Sequence, residues 1–232
     1  MEEAQIKNHD DSSANQMAVD PGSRSNQTAC SPRPTPDKRI LRTQRALRSA
    51  LIELVNECGY DGFTVNDLCK RADINRGTFY NHYHDKEEFI RSCEDEVLEG
   101  FERFQPRIND MSMLMIVSYD KIRKPMPLLV EVFEYLQEQC AFVQAMLGTR
   151  GDSSFSTRIV DTFCNRMMRS VLHEKYRKNP TTFVDYYVSF YSSALLGIIN
   201  EWYSRDMQES PEEMAVITAR LLLNKVGDPI KL

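Results

Sequence analysis

An all-α fold is what the sequence predicts, on three observations. From Lys38 onward, apolar residues recur at helical spacing: Leu47, Leu51, Leu54, Val55 and Cys58 fall at i, i+4, i+7, i+8 and i+11 and make one buried stripe. Residues that cap helices stand just ahead of successive apolar runs, as at Thr64, Asn75, Asp85 and Ser210. Breaks carrying glycine or proline separate the runs, at Gly59, at "GTRGDSS" (148–154) and at "NP" (179–180).

Residues 1–37 lie outside that pattern. They are rich in Ser, Asn, Asp and Pro, and their end, "SPRPTPDK", cannot continue a helix. With so little apolar surface to offset the entropy of ordering, they are expected to be a disordered extension. The organisation expected is therefore three segments: the extension 1–37, a small helical domain 38–101 and a larger helical domain 102–232.

Bulk properties bound the function. The chain has 232 residues, 41% hydrophobic and 27% charged, a balance that suits a soluble globular protein. No apolar run reaches the roughly 18–20 residues of a membrane span, and the N-terminus lacks a basic-then-apolar signal pattern, so a cytoplasmic protein with no membrane partner is expected. The six cysteines are scattered with no CxxC pair; Cys58, Cys69, Cys93 and Cys164 lie beside apolar helical positions and read as buried small hydrophobes. The net charge is −5, but its distribution matters more than its sum. Residues 38–90 are net +1, and Lys38, Arg39, Arg42, Arg45 and Arg48 all precede their first acid, whereas residues 91–232 are net −3. A basic end is joined to an acidic body.

The first helix opens near Lys38, with Thr43 as the expected N-cap and Gly59 as the stop. "TVND" then starts a helix of about two turns with a capping box, Asp67 standing three residues after Thr64. In "ADIN", Asp73 can adopt the left-handed conformation of a tight turn, Ile74 plugs the angle between helices, and Asn75 caps a third helix expected over 76–83. Asp85 caps a long fourth helix with Phe89, Ile90, Cys93, Val97, Leu98 and Phe101 inward. Two short helices joined by a four-residue turn, about 64–83, make a helix-turn-helix.

On the third helix Phe79 and Tyr83 share the core side. Arg76 with Tyr80, and Gly77 with Asn81, share the outward side. That outward face has donors, acceptors and almost no aliphatic bulk. Glycine costs about 1 kcal/mol in a helix relative to alanine, so its place there suggests that something approaches the backbone closely. His82 and His84, at i and i+2, do not share a helical face, so no metal site is expected, and no cofactor either.

"TVNDLCKRADINRGTFYNHYHDKEEF", with "RTQRALRSALIELVNECGYDGFTV" upstream, resembles the DNA-binding domain of the tetracycline-repressor (TetR) family of bacterial transcription regulators. The match runs from about Ile40 to Phe101. The resemblance implies that the third helix enters the major groove of double-stranded DNA, with Arg76, Gly77 and Asn81 facing base edges. Arg to guanine and Asn to adenine are the favoured pairings. It further implies phosphate contacts by Thr78, Tyr80, His82, Thr64 and Lys86; on charge alone, Arg42 and Arg45 join them. One departure is Asp73, where the family usually has glycine.

The remaining chain reads as further helices. "PLLVEVFEYLQEQCAFVQAML" begins with Pro127 in a first helical turn and buries Leu128, Val132, Tyr135 and Leu136. Asp152 or Ser153 caps the next helix. "FVDYYVSFYSSALLGIINEWYSRDM" is apolar nearly all round, and "SPEEM" opens a final helix with Ser210 as cap and Pro211 first. A helix pair with surplus apolar surface predicts a dimer interface, assigned to Tyr187, Tyr191, Leu195, Ile198, Trp202, Met214, Ile217 and Leu221. TetR-like proteins pair through their last two long helices, which agrees. In the family the middle helices enclose a small-molecule pocket. The methionines and aromatics there, Met111, Met126, Met146, Met167, Phe133 and Phe163 among them, read by spacing as plain core, and no pocket residue is assigned.

The expected function is a homodimeric DNA-binding regulator, a repressor on a palindromic operator that a small-molecule effector releases. The alternative keeps the DNA-binding end and gives its control, as activator or co-regulator, to a protein partner. A structural helical dimer is the reading without DNA. No catalytic triad, paired carboxylates or phosphate-binding glycine loop is recognisable, so an enzyme is not expected.

Overall fold

The chain was described as a computed structural model, which covers residues 38–172, Tyr176 and residues 181–223. The extension 1–37 and the break at 179–180 lie outside the described residues. All regular structure among the described residues is helical.

Helix α1 (Lys38–Cys58) turns Leu47, Ala50, Leu51, Leu54 and Val55 inward. Thr43 does not cap it. Its hydroxyl lies within the helix and donates to the Arg39 carbonyl four residues back (3.0 Å). Lys, Arg, Leu and Gln are good helix formers, and they carry the helix through the position where a cap was expected. Gly59 is the stop: its φ is +84°, and its N–H donates to Val55 O at 2.9 Å.

Helices α2 (Val65–Arg71), α3 (Arg76–Tyr80) and α4 (Lys86–Glu102) follow. The capping box of α2 is closed, with Asp67 N–H donating to Thr64 Oγ1 (3.3 Å) and Thr64 N–H to Asp67 Oδ2 (3.0 Å). Asp73 takes the left-handed turn position at φ 54°. Helix α3 is shorter than the 76–83 expected. The N–H groups of His82 and Tyr83 both go to Phe79 O (2.9 and 3.0 Å), so the ladder tightens into a turn after Tyr80. Asp85 then caps α4 by accepting from Glu88 N–H at 2.7 Å. Phe79 is fully buried, and its ring and that of Tyr83 lie 6.0 and 5.0 Å from Phe89. This aromatic cluster fixes α3 on α4 despite the shortness of α3.

The body comprises α5 (Gln105–Asn109), α6 (Met113–Lys121), α7 (Pro127–Glu138), α8 (Cys140–Leu147), α9 (Ser153–Ile159), α10 (Asn165–Val171), α11 (Thr182–Ser204) and α12 (Pro211–Leu223). A single widened turn, Val160–Cys164, joins α9 to α10, with Asn165 N–H reaching Val160 O five residues back. Helix α12 packs along α7 and α6, α10 packs on α11, and α1 packs on α8. Buried hydroxyls bridge elements: Tyr135 donates to Val97 O and Tyr203 to Leu136 O, each at 2.9 Å. Asp152 caps α9, accepting from Ser154 N–H at 2.7 Å, and Ser210 exchanges bonds with Glu213 at the start of α12. Cys69, Cys93 and Cys164 are buried as expected; Cys58 is exposed, because it sits on the last, outward turn of α1.

Candidate nucleic-acid interface

The outward face of α3 is built by its N-cap. Asn75 Oδ1 accepts from Gly77 N–H at 2.8 Å, which starts a helix too short to nucleate on propensity alone. Arg76, Gly77, Tyr80, Asn81 and His82 are exposed, and Thr78 is half-buried at the edge of the face. The Arg76 guanidinium lies over the Tyr80 ring, 5.9 Å from its centroid. A β-carbon at Gly77 would meet only Asn75 Oδ1, at 3.3 Å, so the glycine leaves a shallow surface beside the guanidinium. Arg42 and Arg45 are exposed on α1, and neither forms an ion pair among the described residues.

Other groups assigned to phosphate are already engaged. The Thr64 hydroxyl donates to Asp67 Oδ2 at 2.7 Å, and that carboxylate is held below its usual range first by this bond. Lys86 has turned inward. Its side chain is only 12% exposed, and Nζ donates to the carbonyls of Tyr60 (3.0 Å) and Phe63 (3.4 Å) over their rings. In this conformation its ammonium fastens the α1–α2 loop to α4, because two carbonyls and two ring faces lie within reach of its stem.

The neighbouring cations are structural. Arg71 clamps α2 to α1 through a fork on Glu57 (2.9 and 2.8 Å) and a bond to Glu53 (3.1 Å). Arg48 joins Glu96 (2.8 Å) and Gln139 Oε1 (2.7 Å) over the Phe142 ring, tying α1 to the body. The basic run at the N-terminus of α1 thus divides between surface cations and a tie to the body, a division that charge counting could not make.

The last two described helices carry the second surface. Leu195, Trp202 and Met214, assigned above to a dimer interface, lie in the chain's own core, Trp202 at 1% exposure. They hold α11 and α12 to α7, since an apolar helix packed on its own body spends its bulkiest line there. Tyr187, Tyr191 and Ile198 are half-buried, while Ile217 and Leu221 are exposed. Sequence reasoning missed Phe183, Tyr186 and Phe190, which are 76%, 74% and 66% exposed. With Ala194 and Gly197 they make one line at i, i+3, i+7, i+11 and i+14, a spacing legible in the sequence once the inward line is known. Nothing lies within 4 Å of a β-carbon placed at Gly197.

Comparison with known proteins agrees with this geometry. Residues 47–93 match the family model described as "Bacterial regulatory proteins, tetR family", and residues 123–224 match one described as "Transcriptional regulator C-terminal region". An uncharacterized HTH-type transcriptional regulator of Bacillus subtilis, YxbF, is 40% identical over 63 residues, 25% of this chain and 17% of its own length. IcaR of Staphylococcus epidermidis, the negative transcriptional regulator of the biofilm operon icaADBC, is 37% identical over 59 residues, 25% of this chain and 32% of its own. The chain thus spans less than a third of the length of either curated relative. Among solved structures, a Clostridium perfringens protein assigned provisionally to the regulation of fatty acid metabolism aligns with TM-score 0.57 and 23% identity, over 80% of this chain and all of the other. With a helix-turn-helix whose second helix, α3, presents a polar face, and with family models matched over residues 47–93 and 123–224, the chain belongs to the TetR family of bacterial regulatory proteins.

Proposed function

We propose that the chain is a homodimeric repressor that reads a palindromic operator with one α3 from each copy. Residues 38–101 act as the DNA-binding domain and residues 102–232 as the regulatory and pairing domain. Arg76, Gly77 and Asn81 face base edges, while Arg42, Arg45, Thr78, Tyr80 and His82 meet the backbone. Lys86 and Thr64 support the fold of the head first, and reach phosphate only if they release their present partners. The observation that carries the reading is the exposed, aliphatic-poor face of α3, held rigid by the Asn75 cap and the Phe79–Tyr83–Phe89 cluster.

Pairing is supported by the exposed stripe of α11, which continues onto Ile217 and Leu221 of α12. A groove of about 320 Å3 between the two helices, lined by Ala194, Gly197, Ile198, Ile217 and Leu221 among others, could receive side chains of a second copy. Isologous pairing would supply two recognition helices related by a two-fold axis, as a palindrome requires. The name of IcaR as a negative regulator supports repression.

One observation bears on the input. The apolar cavity between α7, α10, α11 and α12, lined by Leu129, Phe133, Phe163, Met167 and Thr218 among others, has a volume of about 20 Å3, room for about one water. An interior effector would need these helices to part. That favours, as a second reading, control by a protein partner or by a ligand held elsewhere.

The test is selection of duplexes from a random pool by the purified chain, followed by titration of the enriched site across a salt series. Enrichment of a palindrome bound by two copies, with affinity falling steeply as salt rises, supports the proposal. Failure to enrich any sequence over the starting pool at low salt overturns it.

A further inference from the structure

A cleft lies where the DNA-reading head meets the body, apart from both the α3 face and the interior cavity. It has a volume of about 550 Å3, within the range of small-molecule sites, and is lined by Tyr60, Glu87, Ile90, Arg91, Glu94, Asp152, Ser154 and Arg158. Three parts of the fold form it. Tyr60 comes from the α1–α2 loop, Asp152 and Ser154 from the loop and first turn leading into α9, and the rest of its wall chiefly from α4, the last helix of the head, which also packs on the Val160–Cys164 turn of the body. The two loops are already joined there: Tyr60 N–H donates to Arg150 O at 2.8 Å, and Arg150 Nη1 to Glu57 O at 3.1 Å.

Glu94 is the unusual member. It is 3% exposed, and one carboxylate oxygen is held by Arg158, which also binds Asp95. The other oxygen, Oε1, is buried and has no hydrogen-bond partner. A buried carboxylate oxygen without a donor is costly, and native proteins rarely leave one so. Burial accordingly pushes the Glu94 carboxyl up to about 7, against the opposing pull of Arg158. Three residues earlier on the same face of α4, Arg91 has no ion-pair or hydrogen-bond partner among the described residues. The wall of the cleft therefore holds one buried acceptor without a donor and, beside it, one exposed cation that forms no ion pair among the described residues. No group of His, Cys, Asp or Glu among the described residues is suited to a metal ion.

We propose that this cleft binds a small zwitterion of the amino-acid type, its ammonium donating to Glu94 Oε1 and its carboxylate meeting Arg91, and that binding sets the seating of the head on the body. This deepens the second reading above, control by a ligand held elsewhere, and rests on it for the effect on DNA. The ligand would touch both loops and the shared helix, so it would favour one arrangement of head against body.

The test is isothermal titration calorimetry of the full chain, without DNA and at about pH 8, where the Glu94 carboxyl is ionised, against each of the twenty common L-amino acids, with the decarboxylated amine of any binder as comparison. At least one amino acid is expected to bind. Glu94→Gln should weaken it about tenfold or more, the loss typical of a hydrogen bond to a charged group. Arg91→Gln should remove the preference for the amino acid over its amine. Asn81→Ala, which lies on the α3 face, should leave the heat unchanged, so a failure of the DNA reading does not touch this result. Circular dichroism and thermal melting establish that each variant is folded. No heat with any amino acid, or undiminished binding by both folded cleft variants, overturns the proposal.

Discussion

Phe190→Ala is the substitution that most directly examines the proposed pairing surface. A phenylalanine ring buries about 150–250 Å2 when fully covered, and Phe190 is 66% exposed in the single chain. Pairing through α11 would then cover on the order of 100–150 Å2 at this residue, roughly 3 kcal/mol per copy at about 25 cal/mol per Å2. Both copies lose the ring, but ordering and rigid-body costs reduce the return, so we expect a net loss of about 3 kcal/mol per dimer. That is a rise of roughly 100-fold in the dimer dissociation constant. Sedimentation velocity over a concentration series measures it, with Leu114→Ala as control, because Leu114 is 81% exposed on α6 and belongs to a different helix. Unchanged association of Phe190→Ala, or equal loss in the control, would refute the stripe as the pairing surface.

Four other outcomes are expected. Asn81→Ala should relax base preference at one operator position, removing about 1–3 kcal/mol of discrimination, as read by affinities for single-base variants of the site. Lys86→Ala should lower the stability of the folded chain by about 1.5–3 kcal/mol, the loss of a charged donor on two carbonyls, seen as an earlier denaturation midpoint. Its slope of log affinity against log salt should stay as in the parent, whereas a phosphate contact would lower that slope by about 0.9. Glu94, pushed up to about 7 from an ordinary 4.5, keeps its proton in the folded chain when the unfolded chain has lost it. Its contribution to stability is therefore full below pH 4.5 and declines as pH rises towards about 7. Denaturation midpoints across that window should show a decline that Glu94→Gln lessens. Gly100→Ala would place a β-carbon 1.9 Å from the Tyr135 hydroxyl, so it should displace the buried bond to Val97 O and cost about 1–3 kcal/mol, measured as a drop in Tm.

Local chemistry was legible in the sequence. The Thr64–Asp67 capping box, the Asp73 turn, the Asn75 and Asp85 caps, the Gly59 stop and the Ser210–Pro211 start each depend on a few neighbouring residues, and each stands where their side-chain chemistry put it. The α3 face was legible for the same reason, since i, i+4 spacing decides which side chains share a side. The local misreadings arose where neighbouring groups competed. Thr43 was a cap by type but lay within a run of helix formers, and α3 lost a turn because both following N–H groups found Phe79 O.

What only the tertiary structure decided is where surplus groups find partners. Lys86 and Arg42 have the same formal charge in the sequence, yet packing turns one into two carbonyls and leaves the other on the surface. Trp202 and Phe190 are both large aromatics of α11, and contact with α7 makes one core and leaves the other open. The pairing of Glu94 with Arg158, and its one unmet oxygen, join residues 64 apart in the chain. Periodicity determines which residues share a face, because that is a property of one helix. Which face is used in the protein's own core, and which is left exposed, depends on contacts between helices distant in sequence.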